Sequence, residues 1–404
     1  MSTTEARTDA VTFDSEFVSH LHDRYGEIRS ATPVQRMITP YGLPVWVITR
    51  YDDARAALAD PRLAKDFRRT REVVSTKAGA AGSPFNDDLS EQMLNLDPPD
   101  HTRLRKLVVK AFTTRRVEAL RPRVEEITAE LLDGADTSGE VDLLDVLAFP
   151  LPIRVICELL GVDESRRDDF RHWTNTLLDA SDEEAKAAAA AAMAAYLAEL
   201  TAAKRQQPAD DLLTALIEVS EDEDRLSETE LISMVFLLLV AGHETTVNLI
   251  GNGVLALLRN PEQWAALVED PDRVTGAVEE ALRFDGPVMH GTFRHTTAAV
   301  TFGGVEIPAG EIVWVGLASA NHDPEKFPEP DAFDITRDSH GHLAFGHGIH
   351  FCLGAQLARM EAQIALRQLA ERFPGLRGAA ELDDVEWRFS TLIHGLQRLP
   401  VHLG

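Results

Sequence analysis

The chain is poor in cysteine and lacks long apolar runs. Only two of its 404 residues, Cys157 and Cys352, are cysteines, which excludes a disulfide framework. The first nine residues are polar and contain no apolar stretch typical of a secretory signal, so we expect a cytoplasmic protein. The strongest apolar run, residues 231–241, is about half as long as the roughly twenty residues that a membrane span needs. We therefore expect no membrane association.

Basic residues are also scarce relative to acidic ones. The 40 Lys and Arg residues against 66 Asp and Glu residues give a formal net charge of −26, which disfavours binding to the phosphate backbone of nucleic acids. No linker rich in proline, glycine or serine, no charge block and no internal repeat divides the sequence. Together with an apolar content of 44%, these absences predict one large globular domain that covers residues 1–404.

The periodicity of apolar residues predicts a mainly α-helical fold with a small β region. Strand-rich parts are expected near residues 34–50, 293–316 and 384–403. Residues 76–92 are rich in glycine and serine, and we expect a long irregular loop there, beside a ligand site. Helices are expected near residues 51–60, 101–112, 115–133, 150–161, 164–179, 183–206, 209–219, 228–259, 261–268, 272–284 and 353–372.

A glycine-rich segment, residues 345–354, places Cys352 directly before a predicted helix. The unpaired N–H groups and positive dipole end of a helix N-terminus favour a thiolate, which is a nucleophile and a metal ligand. Gly346 and Gly348 allow tight turns, and Gly354 removes a side chain where a flat ligand could lie against the backbone.

Two simpler interpretations of this segment stay open at this point. A single cysteine is often a small buried apolar residue. A zinc site is the other alternative, because four histidines fall within thirteen residues of the chain up to Cys352, although the paired spacing of typical zinc ligands is missing. These histidines are His340, His342, His347 and His350.

The longest predicted helix, residues 228–259, contains a polar interruption. Ser227 and Glu230 predict a capping box at its start. In its apolar middle lies the sequence Ala-Gly-His-Glu-Thr-Thr at residues 241–246, where a buried acid is costly unless it is paired or used. We expect a functional site there, often accompanied by a bulge or kink, or else a polar stripe against other polar helices. A zinc-protease H-E-x-x-H motif is excluded, because Val247 follows the second threonine.

Two further pairs of residues have spacings that, taken alone, are only weak evidence for a function. Glu280 and Arg283 are separated by three residues, as in many surface ion pairs, and Arg337 follows later in the chain. His101 and Arg105 are separated by four residues and would lie on one face of a helix.

Taken together and in this order, these segments resemble the cytochrome P-450 haem-thiolate monooxygenases, in particular the bacterial, ferredoxin-dependent class. The match F-x-x-G-x-[HRK]-x-C-x-G falls on residues 345–354, and [AG]-G-x-[DE]-T-[TS] falls on residues 241–246. The resemblance extends from about residue 40 to the C-terminus. Leu353 stands where some members have proline, and an alanine pair at 298–299 replaces a common acidic pair.

The resemblance implies the cytochrome P-450 fold, with a long central helix over haem b, and an axial iron–thiolate bond from Cys352. It also implies that Glu244 and Thr245 deliver protons during oxygen activation, in the space left by Ala241. Glu280, Arg283 and Arg337 correspond to a structural network. The implied haem contacts are His101, Arg105, Ala241, Arg294, Phe345, His350, Cys352 and Gly354.

The implied substrate pocket is largely apolar, with His290 and His394 as polar contacts and with the 76–92 loop and the 164–206 helices as a lid. Its expected lining is Val240, Val288, Met289, His290, Leu392 and Ile393, besides Ala241.

The implied reaction is insertion of one oxygen atom from O2 into an apolar organic molecule, such as a polyketide, terpenoid or steroid. NAD(P)H electrons would arrive through a ferredoxin reductase and a ferredoxin, because the chain has no G-x-G-x-x-G fingerprint. Eight basic residues against one acid in residues 101–123 are the expected docking surface for an acidic ferredoxin, unless they only pair with neighbours. The alternatives are a peroxide-dependent haem peroxygenase and a non-enzymatic haem-binding or zinc-binding protein.

Overall fold

A computed structural model of the chain describes residues 10–78, 89–178, 183–220, 226–379, 382 and 385–404. The helices among these residues are α1 (Ser15–Ser19), α2 (Leu21–Ala31), α3 (Tyr51–Ala59), α4 (Phe67–Ala78), α5 (Asp100–Ala111), α6 (Thr114–Ala119), α7 (Arg121–Asp133), α8 (Pro150–Leu160), α9 (Arg167–Leu178), α10 (Glu183–Gln206), α11 (Leu212–Ser220), α12 (Glu228–Arg259), α13 (Pro261–Glu269), α14 (Val274–Asp285), α15 (Leu317–Asn321) and α16 (Ala355–Arg372). A π-helical turn, Leu144–Ala148, precedes α8.

The strands are short. They are β1 (Val11–Thr12), β2 (Val34–Ile38), β3 (Pro44–Ile48), β4 (Leu63–Ala64), β5 (Glu140–Asp142), β6 (Arg294–Thr296), β7 (Val300–Phe302), β8 (Val305–Ile307), β9 (Ile312–Val315), β10 (Arg377–Gly378) and β11 (Pro400–His402). The largest sheet has the order β1-β2-β3-β9-β6-β4, a second has the order β10-β11-β5, and β7 pairs with β8.

The mixed six-stranded sheet is apolar on both faces. Its parallel pair β3 and β9 aligns Val47 with Trp314. Because side chains alternate along a strand, Ile312 and Trp314 join one apolar cluster, whereas Val313 and Val315 join the cluster on the other face. A third, much larger cluster lies among the helices.

The helix α12 crosses the helical part of the molecule. The predicted capping box is confirmed: the Ser227 hydroxyl accepts the Glu230 N–H at 3.1 Å, and the Glu230 carboxylate accepts the Ser227 N–H at 2.8 Å. Its 32 residues give a length of about 48 Å. The helix is long and apolar enough to span a membrane, but 61% of its most apolar window is buried inside the protein, as is typical of a core helix.

The prediction of a mainly α-helical fold with a small β region is confirmed. The expected helices are present within a few residues, with the 115–133 segment divided into α6 and α7. The sequence did not predict α1, α2, α4 and α15, because their short apolar stretches show only a weak helical periodicity.

Two local expectations were wrong in part. Residues 76–78 end α4 and are not part of a loop, while the predicted loop's residues 79–88 lie outside the described residues. Between 385 and 403 the regular pairing is confined to β11 and isolated bridges such as Trp387 with Leu396.

Candidate active site

A cavity of about 470 Å³ lies between α12, α5 and the segments around 287–294, 344–358 and 392–393. This volume falls within the range of small-molecule sites. Most of the side chains proposed from the sequence line it. These are His101, Arg105, Val240, Ala241, Glu244, Thr245, Val288, His290, Arg294, Phe345, His350, Cys352, Gly354, Leu392 and Ile393.

The cysteine loop has the geometry that its glycines predict. Gly346 and Gly348 have φ values of +71° and +75°, which L side chains rarely adopt. The Cys352 N–H donates to the Phe345 carbonyl at 2.9 Å and closes the loop, and α16 begins three residues later. A Cβ atom built on Gly354 would meet only the Cys352 Sγ, at 4.0 Å. The space beside the sulfur is therefore free of other protein atoms on this side.

The residue Cys352 is part of the cavity lining. Burial by the surrounding protein raises its pKa, and the N–H groups of Gly354 and Ala355 and the Arg105 guanidinium only partly offset this effect. The N–H groups at the helix N-terminus thus lower the pKa of the thiol, as the sequence predicts, but desolvation is the larger effect. Coordination to a metal ion would deprotonate the thiol outright.

Five basic side chains converge on one side of this cavity. The rings of His101 and His350 lie 4.3 Å apart between centroids. Burial and the neighbouring cations lower the pKa of both histidines, and burial lowers the pKa of Arg294 to about 10. The group consists of Lys65, His101, Arg105, Arg294 and His350.

Lys65 is the member of this group that the sequence did not predict. It is buried, and its ammonium group donates to the Thr292 hydroxyl. Burial and the nearby Arg294 lower its pKa well below the ordinary value. Nothing in the sequence distinguishes it, because Lys65 directly follows the two-residue strand β4 and precedes the charged Asp66.

The basic group is suited to a dianionic ligand such as haem. Both ring nitrogens of His101, Nε2 of His350 and Nε of Arg294 are buried without a hydrogen-bond partner among the described residues. Each buried, unpaired polar group costs about 1–3 kcal/mol. Two propionate groups would supply the missing acceptors, and the open space beside Cys352 and Gly354 would admit a flat ring. The residues present therefore fit haem.

The polar interruption of α12 faces this cavity without a bulge, since residues 241–246 remain α-helical. The Thr245 hydroxyl donates to the Ala241 carbonyl at 2.7 Å, and the Thr246 hydroxyl donates to the Gly242 carbonyl at 3.2 Å. These bonds satisfy the hydroxyl hydrogens within the helix. The oxygen of Thr245 can still accept a hydrogen bond from a molecule in the cavity.

Glu244 is paired, which explains how a buried acid is tolerated in this helix. Its carboxylate is 2% exposed and accepts from Arg388 Nη1 at 2.6 Å, and the Asn248 amide lies 3.3 Å away. Arg388 is 31% exposed and connects the buried acid with the surface. Arg388 was not predicted from the sequence, since nothing in the sequence links two residues 144 positions apart.

Three of the expected pocket contacts need correction. Met289 does not line the cavity: it is fully buried in the cluster on the other side of its extended segment, because Val288 and His290 alternate with it. His290 lines the cavity, but its nitrogens contact the Tyr25 hydroxyl and the Thr391 carbonyl, so it has no free polar atom for a substrate. His394 lies outside the cavity lining and binds the Asp285 carboxylate.

Glu280, Arg283 and Arg337 form a buried network away from the cavity. Arg283 donates to both Glu280 oxygens at 2.8 and 2.7 Å, and both side chains are fully buried. Arg337 Nε donates to Glu280 at 3.1 Å. The remaining donors of the two arginines reach backbone carbonyls, which lie at Asn321, Pro328, Glu329, Pro330 and Ala332.

The zinc interpretation of the cysteine loop finds no support in the described residues. The only group of three potential ligands among them is His22, Asp285 and His394, which does not include Cys352. Of the loop histidines, His342 binds Glu279 and His340 binds Asp338.

Sequence comparison agrees with this geometry. The family model described as Cytochrome P450 matches residues 152–375. Cytochrome P450 107B1 of Saccharopolyspora erythraea is 62% identical over 404 residues, which is the full length of both chains. The 6-deoxyerythronolide B hydroxylase of the same organism is 47% identical over 388 residues, 94% of this chain and 95% of that protein.

Structure comparison gives the same result. The tirandamycin C-bound P450 monooxygenase TamI superimposes with a TM-score of 0.92 at 49% sequence identity. The match covers 98% of this chain and all of that one.

Proposed function

Because the chain belongs to the cytochrome P450 family and is a monooxygenase, we propose that it hydroxylates a large, mostly apolar molecule of the polyketide type. The observation that carries this proposal is the convergence on one cavity of the Cys352 sulfur, five basic side chains and the Glu244–Thr245 pair. Bound haem b would supply the activation of O2. The side chains of this protein would hold the haem, orient the substrate and deliver protons.

The basic group is proposed to hold the haem propionates. His101, Arg294 and His350 offer unpaired nitrogen atoms, and Lys65 and Arg105 add positive charge. Charge-assisted hydrogen bonds of this kind are about twice as strong as neutral ones. The Cys352 thiolate would bind the haem iron, and the backbone hydrogen bond to Phe345 holds the residue in place.

Glu244 and Thr245 are proposed to move protons. Arg388 holds the Glu244 carboxylate and links it to the surface, and Thr245 presents its hydroxyl oxygen to the cavity. A proton taken up near Arg388 would thus pass through Glu244 to the Thr245 hydroxyl, which faces the cavity. This acid–alcohol pair favours O2 over hydrogen peroxide as the oxidant.

The substrate class follows from the lining and from the relatives. Around Thr245 the cavity is apolar, and its walls include Leu237, Val240, Val288 and Ile393. A substrate with a large apolar surface would therefore bind favourably, because binding removes that surface from water. One relative is named as a 6-deoxyerythronolide B hydroxylase, and the TamI structure holds tirandamycin C. A terpenoid or steroid is the second candidate, because the same apolar walls would accept it.

The electron donor is proposed to be a ferredoxin, reduced by NAD(P)H through its reductase in the cytoplasm. The surface next to the cysteine loop carries exposed basic side chains on α5 and α6, together with exposed Val109, Ile349 and Phe351. A basic rim around apolar contacts suits an acidic partner protein. The chain is proposed to act as a single domain.

The thiolate is tested by reducing the purified protein under carbon monoxide. The Soret band should move to the long wavelength that is characteristic of haem-thiolate proteins, and Cys352→Ser should abolish this form. Correctly folded, haem-loaded protein that never shows the shifted band would contradict the assignment of Cys352.

The reaction is tested with ferredoxin, its reductase and a panel of polyketides, terpenoids and steroids under ¹⁸O2. A hydroxylated product should carry one labelled oxygen atom. Thr245→Ala should consume NAD(P)H but form about tenfold less product, since proton delivery contributes at least this much, and Thr245→Ser should retain product formation. Turnover with peroxide alone would instead support the peroxygenase alternative.

A further inference from the structure

Three side chains from distant parts of the chain meet outside the cavity. His22 lies on α2, Asp285 ends α14, and His394 lies in the C-terminal segment. His22 Nε2 is 2.7 Å from Asp285 Oδ1, and His394 Nε2 is 3.2 Å from the same oxygen. One potential ligand atom from each of the three side chains lies within 4.8 Å of the other two.

We propose that these three side chains, named here the α2–α14 triad, bind one divalent transition-metal ion, with Zn²⁺ as the reference ion. Two imidazole nitrogens and one carboxylate oxygen are the ligand types that Zn²⁺ and its first-row neighbours prefer. Ca²⁺ and Mg²⁺ require more oxygen ligands than the triad offers. No other group of three such ligands is present in the described residues.

The spacing of the triad suits a small ion. Ligand atoms about 2.0–2.1 Å from a metal lie roughly 2.9–3.4 Å apart in octahedral or tetrahedral geometry. The 3.2 Å separation between His394 and the Asp285 oxygen falls within this range, and the 2.7 Å separation between His22 and that oxygen is slightly shorter. The ligand atoms of the two histidines lie within 4.8 Å of each other, so rotation of the partly exposed His22 ring would bring the three ligands to the spacing that a metal ion requires.

The histidine rings can also adopt the required tautomer. In the hydrogen-bonded form each Nε2 faces the Asp285 oxygen, whereas Nδ1 of His22 and Nδ1 of His394 are buried without a partner in the described part of the chain. A neutral ring that ligates through Nε2 carries its proton on Nδ1, so the number of protons is unchanged. A charged ring releases one proton on metal binding.

The surroundings leave one side of the triad accessible. Asp285 and His394 are 5% and 3% exposed, whereas His22 is 25% exposed. His322 stacks on the His22 ring at 4.0 Å between centroids, but its own nitrogens contact the Asp331 carboxylate and the Phe284 carbonyl. His322 thus borders the site but is not a ligand. The ion and water can enter on the exposed side, at His22.

The triad is connected to the wall of the cavity. The Asn252 amide donates to the carbonyls of Asp285 and His394 at 2.9 and 3.0 Å. The His394 N–H donates to the Pro287 carbonyl at 2.9 Å, and the neighbouring Val288 and Ile393 form an isolated bridge and line the cavity. A bound ion would fix these two segments relative to each other and to α2.

The test uses tag-free, chelator-washed holoenzyme titrated with Zn²⁺ by calorimetry. One equivalent should bind, and the zinc X-ray absorption edge should show two imidazoles with oxygen ligands. The melting temperature should rise with the Zn²⁺ concentration, because the ion binds only the folded form. His22→Ala should weaken binding at least tenfold and remove this rise.

The matched control is His20→Ala, which removes an exposed histidine two positions away that is outside the triad. It should leave Zn²⁺ binding unchanged. Asp285→Asn provides a second variant, and the haem spectrum reports whether each variant is folded. Absence of a one-equivalent site, or equal affinity in wild type and both triad variants, overturns the proposal. The outcome is independent of the substrate and of the electron donor.

Discussion

At the scale of single residues, the ion pair between Glu244 and Arg388 joins the cavity to the surface. Arg388 keeps a buried carboxylate in place at 2.6 Å while its own side chain stays partly exposed. The residue is proposed to act on catalysis only through Glu244, so its removal should affect proton delivery and not substrate binding.

We predict that Arg388→Ala lowers the amount of product per NAD(P)H consumed by several-fold, whereas Arg388→Lys restores part of it by keeping the charge. Product and NAD(P)H consumption are measured together with the spectral Kd for the substrate. The Kd should change little. Normal coupling in Arg388→Ala, with Glu244 still essential, would remove Arg388 from the proposed proton route.

A second residue, Glu361 on α16, is buried and its Oε2 has no hydrogen-bond partner in the described structure. Burial raises its pKa well above the ordinary value. A carboxyl group whose pKa is higher in the folded than in the unfolded protein favours folding at low pH. This contribution is lost as the pH rises from about 4.5 towards the folded pKa.

We predict that Glu361→Gln is increasingly more stable than the wild type as the pH rises from 5 to 7.5. The difference in the free energy of unfolding should grow by up to about 1.4 kcal/mol per pH unit. Urea unfolding at several pH values measures it. Glu371→Gln, at an exposed position of the same helix, should show no such trend.

At the scale of elements, the Glu280 network attaches α14 to the segment 328–339. Arg283 and Arg337 together satisfy a run of backbone carbonyls that has no regular secondary structure of its own. Such a segment depends on side chains for its hydrogen bonds. Arg283 and Arg337 are therefore proposed to hold the segment 328–339, which precedes the cysteine loop, in place.

We predict that Arg283→Ala destabilises the protein by about 3–5 kcal/mol, since it leaves Glu280 buried without its partner. Arg273→Ala removes an exposed i,i+3 pair with Asp270 near the start of α14 and should cost less than about 1 kcal/mol. Thermal unfolding and haem content measure both. Similar small effects for the two variants would show that the Glu280 network does not brace the fold.

At the scale of the whole molecule, charge is distributed unevenly. The chain carries a net charge of −26, yet residues 101–123 are strongly basic. Five of the eight basic residues there have partners: Arg103 with Glu230, Arg105 with the Phe351 carbonyl, Arg116 with Asp210, Arg121 with Glu118, and Arg123 with Glu126 and Glu158. Lys106, Lys110 and Arg115 are exposed and make no ion pair among the described residues.

We predict that the combined change of Lys106, Lys110 and Arg115 to Glu raises the KM for ferredoxin at least tenfold and removes most of its dependence on salt. The haem spectrum and substrate binding should not change. Reversal of three basic residues elsewhere, Arg36, Arg377 and Arg398, keeps the same net charge and serves as control. Equal effects in both triple variants would reject a defined docking surface.

The sequence by itself determined the helical class and the capping of α12, and it predicted the chemistry at residues 241–246 and 345–354, because these depend on local spacing and on residue type. It also determined the family, through four motifs in a fixed order. The single-domain organisation and the roles of the site residues remain predictions.

Only the tertiary structure decided what depends on contacts between distant residues. Such contacts are the addition of Lys65 to the basic group, the pairing of Glu244 with Arg388, and the meeting of His22 with Asp285. The same holds for Met289, which packs away from the cavity, and for the Cys352 thiol, whose pKa is raised. Spacing along a chain fixes neighbours within a helix or a strand, whereas burial and pairing are set by how separate elements pack.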